Sequence, residues 1–182
     1  YYCVEGNPCF TGRLQSIEDF ILDTRPRPLQ HIHFFTTSVG AGKDGMTKLY
    51  LDTINKDKNY WGSSIFDGHQ DVRKSAAAEG GTVETVATDV MGFTIGTLMR
   101  QTLTAFDPHA TPEDKKGGHM ILKVDIEGGE FPLLTQAAEE GTLCDYVKMG
   151  NQADLYIEFH SQRVTGKNPL FAKMKEAGRL RR

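Results

Sequence analysis

The sequence predicts an α/β domain carrying an inserted β-hairpin, on three observations. Apolar stretches of period two or of near-continuous type alternate along the chain with stretches of helical period. Glycines and prolines punctuate the boundaries between them. Met120 to Ile126 (MILKVDI) is apolar enough for a strand covered on both faces of a parallel sheet. Strand and helix in alternation require a sheet with crossover helices. The 182 residues suit a single domain, 1–182, and a chain of this length buries roughly 70% of the surface its unfolded form exposes. With 38% apolar and 25% charged residues the chain is no disordered tail, collagen-like fibre or disulfide-knotted miniprotein.

Taken in order, Tyr1 to Val4 reads as the end of a buried strand. Asn7-Pro8 then supplies a capping side chain and a proline at the first helical position, and Phe10, Leu14, Ile17 and Ile21 recur at helical spacing up to about Leu22. Arg25-Pro26-Arg27-Pro28 breaks that helix, and His31 to Val39 is β-branched and aromatic enough for a second strand. After the glycine cluster 40–45, Thr47, Leu49 and Leu51 alternate with polar residues, which predicts a strand folding back as a hairpin. Asn55 to Gly81 reads as a long loop, Thr82 to Thr88 as a strand, and Ile95 to Leu103 as an amphipathic helix followed by a polar linker, Thr111 to Gly118. Beyond the strand 120–126 come a helix from Glu130 to Glu140 stopped by Gly141, a strand Leu155 to Phe159, and a last short helix Pro169 to Ala177.

A net charge of −3, with no basic patch, gives no electrostatic footprint for nucleic acid. No stretch approaches the roughly 18 apolar residues of a membrane span, so this segment is expected to make no membrane contact. Cys3, Cys9 and Cys144 are odd in number and lack metal-ligand spacing, which reads as reduced thiols. A start at Tyr-Tyr-Cys-Val rather than Met leads us to expect an N-terminally truncated domain. The compartment stays open, cytoplasmic unless an upstream segment anchors or targets the chain.

Several motifs carry chemistry. Gly40 to Gly45 matches G-x-G-x-x-G, but a phosphate cradle needs a helix beginning inside the glycines, and the residues after Gly45 alternate like a strand. Whether Met46 starts a helix or a strand decides the matter. Glu5 stands at a strand's carboxyl end, where it can accept the hydroxyl protons of a ribose or simply favour a helix N-terminus. Asp125, Glu127 and Glu130 crowd six residues between a buried strand and a helix, with Gly128-Gly129 allowing a sharp turn. Crowding of this kind demands a raised pKa or a cationic partner such as Lys123. Asp125 and Glu127 read as functional, Glu130 as an ordinary first-turn acid. Glu158 and His160 share a strand face and read as a hydrogen-bonded pair. His31 and His33 lack a third ligand, so no metal is expected there. Trp61 either faces a substrate or anchors its loop.

LKVDIEGGEFPLL (Leu122 to Leu134) closely resembles the signature of FkbM-type methyltransferases. VEGNP (Val4 to Pro8), TTSVG (Thr36 to Gly40), GSS (Gly62 to Ser64), VETVATDV (Val83 to Val90) and LYIEFH (Leu155 to His160) come in that family's order. The resemblance implies a Rossmann-like, class I methyltransferase-like mixed sheet flanked by helices, and S-adenosylmethionine as cofactor. It further implies that Glu5 holds the ribose, with Asn7 beside it, and that backbone near Ser38 and Val39 borders the adenine. Asp125 would lie near the sulfonium or the acceptor, with Glu127 or His160 as base. The acceptor would be a sugar or small-molecule hydroxyl, that is, a small-molecule or glycan partner. The family's first strand and its glycine turn have no counterpart before Tyr1, which keeps a second reading open: a catalytically inactive Rossmann-like binding module.

Overall fold

The protein is described by a computed structural model for residues 1–106 and 117–160. Its strands pair in three small sheets flanked by helices. β1 (Tyr2–Glu5) runs parallel to β2 (His33–Thr36), with Glu5 opposite Thr36. β3 (Ser38–Gly40) runs parallel to β5 (Ala87–Phe93), and β4 (Gly45–Tyr50) runs antiparallel to the other edge of β5. β6 (His119–Val124) runs parallel to β7 (Gln152–Ile157). Among the described residues the pairing is thus a mixed α/β arrangement without one continuous sheet order.

Local chemistry explains the boundaries. Asn7 Oδ1 accepts the Cys9 N–H at 3.0 Å and opens a single 3-10 turn, Pro8–Phe10, which runs into α1 (Thr11–Asp23). The stretch expected as one strand from His31 to Val39 is two, because Thr37 takes a left-handed φ of 52° and sends β2 and β3 to different partners. The expected hairpin is absent: β4 does not fold back on 31–39, since β5 lies between β3 and β4. The 41–44 loop instead crosses the end of β5, where Gly92 leaves room; a Cβ there would sit 3.0 Å from the Lys43 carbonyl. Asp44 pins that crossing by accepting the Thr94 N–H at 2.8 Å and the Thr97 hydroxyl at 2.7 Å, at the start of α3 (Ile95–Phe106).

The long loop expected over 55–81 holds a 3-10 segment, Thr53–Lys58, and a helix, α2 (Gln70–Ala78). Val72, Ser75 and Ala76 are buried at i, i+3 and i+4, a stripe too short and too weakly apolar to stand out in the sequence. The strand expected from Thr82 begins at Ala87. Val83 and Val86 lie one 3-10 turn apart and join Val72 and Ala76 in a small core. α4 (Glu130–Glu140) ends as expected at Gly141, whose φ of 74° also starts an unforeseen short helix, α5 (Thr142–Lys148). β7 begins three residues before the expected Leu155 and stops at Ile157. Among the described residues the expected double-sided cover of β6 is not found: its residues alternate and Ile121 is 66% exposed. The main core joins Ile95 and Met99 of α3, Val124 of β6, Leu133 and Ala137 of α4 and Tyr146 of α5. The Pro169 to Ala177 helix and most of the Thr111 to Gly118 linker lie outside the described residues. No helix among those described is long and apolar enough to cross a membrane.

Asp52 organises the segment that comes after β4. It is fully buried and accepts hydrogen bonds from Asn55 Nδ2 (2.7 Å), the Gly62 N–H (3.1 Å) and the Ser75 hydroxyl (3.3 Å). Asp52→Ala leaves the Gly62 N–H buried and unmatched and should destabilise the protein by about 1–3 kcal/mol. A urea-unfolding midpoint equal to that of the parent would refute this role.

Candidate active site

Parallel strands bring their carboxyl ends together, and the acids go with them. Glu5 is the last residue of β1, Asp125 comes directly after β6, and the Glu158 N–H donates to the Val124 carbonyl at the end of β7 (3.0 Å). Glu5, Asn7, Ser38, Val39, Asp125 and Glu127 line one cavity of about 440 Å³. Glu158 borders it too, as do Tyr60 and Trp61. Trp61 is 65% exposed, with Lys58 Nζ 5.4 Å from its ring, so it presents itself at the surface and does not anchor the loop to the core.

On the β1 side, the Glu5 carboxylate accepts the Asn7 N–H at 2.7 Å, and burial pushes its pKa up against these backbone hydrogen bonds. Asn7 is buried, and its Nδ2 has no hydrogen-bond partner. Gly6 between them is required for close approach: a Cβ would fall 2.5 Å from Val39 Cγ1.

On the β6 side, three carboxylates occupy three environments. Asp125, at the rim, accepts from Lys123 Nζ at 3.0 Å. Glu127 stands in a left-handed backbone conformation, φ 45°, held there by the Ser64 hydroxyl donating to its carbonyl at 2.6 Å. Its Oε1 lies 3.2 Å from His160 Nε2 and its Oε2 3.3 Å from His69 Nε2. Glu130 is fully buried; its Oε2 accepts the Gly128 N–H at 2.8 Å and its Oε1 the His160 N–H at 2.7 Å, with His160 Nδ1 3.3 Å away. Burial alone would raise the Glu127 pKa, but His160 first and His69 second, each facing one of its oxygens, overcome it and bring the group down to about 2. Glu127 first, then Glu130, lift His160 against burial to about 10. Glu130 is also lowered, since the His160 hydrogen bonds outweigh its own desolvation.

Sequence reasoning misses His69 and the bracing role of Ser64. His69 caps α2 through Nδ1, which accepts the Asp71 N–H at 3.2 Å and so leaves a ring proton on Nε2, facing Glu127. The one sequence signal is a His two residues before an acidic helix start. Glu130 is more than a first-turn acid, because it binds the ends of both β6 and β7. The expected Glu158–His160 pair is replaced by His160 contacts to Glu127 and Glu130. His33 pairs with Glu18 at 3.1 Å. Met46 lies within β4, so no helix starts among the glycines 40–45 and the dinucleotide pattern is a loop. Asp125, Glu127 and His160 each offer a ligand atom within 4.8 Å of the others, the arrangement among the described residues that could hold a metal ion.

The paired charges have a pH signature. His160 stabilises the fold fully below its unfolded value near 6.5, and this is lost as pH rises through about 10. Glu127 contributes fully above its unfolded value near 4.5, losing it as pH falls through about 2. With a chelator present, the melting temperature of the parent minus that of His160→Gln should be largest between about pH 4.5 and 6.5 and shrink toward both extremes. A difference that grows toward pH 9 would contradict the assigned charges.

A family model described as the methyltransferase FkbM domain matches residues 22–177. The Val4 to Pro8 block, with Glu5 and Asn7, precedes the matched residues. No curated protein matches the chain significantly, and no solved structure does. The family match covers most of the sequence and includes Ser38, Val39, Asp125, Glu127 and His160; the chain belongs to the FkbM methyltransferase family.

Proposed function

We propose that the chain is an S-adenosylmethionine-dependent methyltransferase acting on the hydroxyl of a sugar or other small molecule, and that its parallel pairs belong to a Rossmann-like sheet. The observation that carries this reading is the convergence of Glu5, Asn7, Ser38, Val39 and Asp125 on one cavity. Ligands of open α/β sheets bind beyond the carboxyl ends of the strands, and about 440 Å³ lies within the usual range for a small-molecule site. The residues fit the cofactor. A carboxylate that accepts and a buried, unmatched amide that donates stand two positions apart, a pair suited to the two hydroxyls of a ribose.

When bound, the cofactor supplies a methyl group activated on a sulfonium. Glu5 and Asn7 hold the ribose, the backbone at Ser38 and Val39 borders the adenine, and Asp125 lies toward the reacting end. Catalysis would come chiefly from proximity, the chain holding an acceptor oxygen close to the activated methyl group. Glu127 lines the cavity and is ionised at neutral pH, which suits it to take the hydroxyl proton, whereas His160 keeps its own proton and positions Glu127. Tyr60 and the exposed Trp61 give a sugar ring an apolar face to lie against.

Calorimetric titration of the chain with S-adenosylmethionine should give saturable heat, and its absence at millimolar cofactor would sink the reading. Glu5→Gln should weaken binding by about tenfold or more, the value of a lost charge-assisted hydrogen bond. Glu127→Gln should lower turnover more than cofactor affinity, read from the separation of kcat and cofactor Kd.

A further inference from the structure

We propose that Asp125, Glu127 and His160 form a binding site for one divalent cation of the Mg²⁺ or Mn²⁺ class at the rim of the cavity. The three side chains come from two chain segments, the turn after β6 and the residues that follow β7, and their ligand atoms lie within 4.8 Å of one another. Glu127 Oε1 and His160 Nε2 are 3.2 Å apart. Neighbouring ligands of an octahedral ion with bonds of about 2.1 Å stand about 3 Å apart, so an ion fits at this edge with little movement, taking the place of the proton between His160 Nε2 and Glu127 Oε1, which is released to solvent. Two carboxylates and one imidazole form a mainly oxygen donor set, which favours hard or borderline ions over soft ones.

The surroundings are those of a ligand shell. His160 turns its other nitrogen, Nδ1, to the fully buried Glu130 at 3.3 Å, the carboxylate–histidine relation that fixes the ring of a metal ligand. An independent feature points the same way. His69 is 2% exposed, its Nε2 makes no hydrogen bond, and it is aimed at Glu127 Oε2 from 3.3 Å. Its other nitrogen is engaged by the Asp71 N–H. A buried donor without a well-formed hydrogen bond is costly, and here it faces the Glu127 oxygen that is turned away from the ion, 3.3 Å off. Asp125 and Glu127 both line the cavity, so the ion's remaining positions open toward it.

Binding of the ion depends on these side chains alone. Its task, holding the acceptor's hydroxyl oxygen and making that hydroxyl more acidic, rests on the methyl-transfer reading. The chelator-treated chain is titrated with MnCl₂ alone, monitored by calorimetry and by loss of the free Mn²⁺ paramagnetic resonance signal. One ion per chain should bind saturably. Asp125→Asn, whose side chain lies at the surface, and His160→Gln should each weaken binding about tenfold or more, and His69→Gln about tenfold. Glu84→Gln, remote and paired with Lys48, should change nothing. Circular dichroism establishes that each variant is folded. Absence of saturable binding at millimolar Mn²⁺, or equal affinity in folded Asp125→Asn, overturns the site. If the chelated chain binds S-adenosylmethionine but not Mn²⁺, the ion site falls and the methyltransferase reading stands. Mn²⁺ binding without cofactor binding sustains the site and removes its assigned task.

Discussion

A carboxylate shut off from water has to recover its lost hydration from fixed donors, and Glu130 does so by tying three segments to one side chain. Its oxygens take the Gly128 N–H from the turn after β6 and the His160 N–H from beyond β7, while its own backbone begins α4. Desolvating a charge costs several kcal/mol unless the geometry of its partners is good. That requirement acts as a constraint on the fold: the turn, the helix start and the strand end fit around one side chain, or the charge is stranded. The position of His160, and through it that of Glu127, is set by this anchor.

Glu127 shows the cost of that arrangement. Its left-handed backbone, with Gly128 at φ 93° directly after it, reverses the chain within two residues and aims the Glu127 side chain at His160 and His69. Such a conformation is unfavourable for a residue with a Cβ and persists because the surroundings hold it. Ser64 holds it here. Ser64 is in turn set by the short bridge of its loop to Tyr50, with the Ser64 N–H donating to the Tyr50 carbonyl at 3.0 Å, and the neighbouring turn is drawn in by Asp52 at Gly62. Order in the 59–69 segment and geometry at Glu127 are therefore one problem, although more than fifty positions separate them in sequence.

Whatever one element encodes by itself is legible in the sequence. Asn7-Pro8 announces its turn, Gly141 its helix stop, and the acidic run after β6 its place at a strand end, because capping and turn chemistry are local. Errors arise where long-range pairing overrides a local pattern. β4 looks like a hairpin partner of the preceding strand, yet Gly92 and Asp44 let the chain cross β5 first. Val83 and Val86 look like strand residues, yet they pack on α2 in a 3-10 turn. At the site, Asp125 and Glu127 stand out because like charges crowd there. His69 does not, since a lone histidine before a polar helix has no pattern until the turn at Glu127 is built against it.

The segment from Asp125 to Glu130 also explains how one motif serves two purposes. Burial deepens along it, from a rim carboxylate paired with an exposed lysine, through one half-covered by two histidines, to one with no exposure at all. Coulomb interactions strengthen as water is excluded, so the innermost acid fixes structure while the outermost keeps its freedom to meet a ligand. A single histidine couples the two regimes, because His160 touches Glu130 with one nitrogen and Glu127 with the other. Anything that binds at Glu127 from the cavity must therefore act against, or in place of, a contact anchored in the core. That gives the site a stiffness its surface position would not otherwise allow.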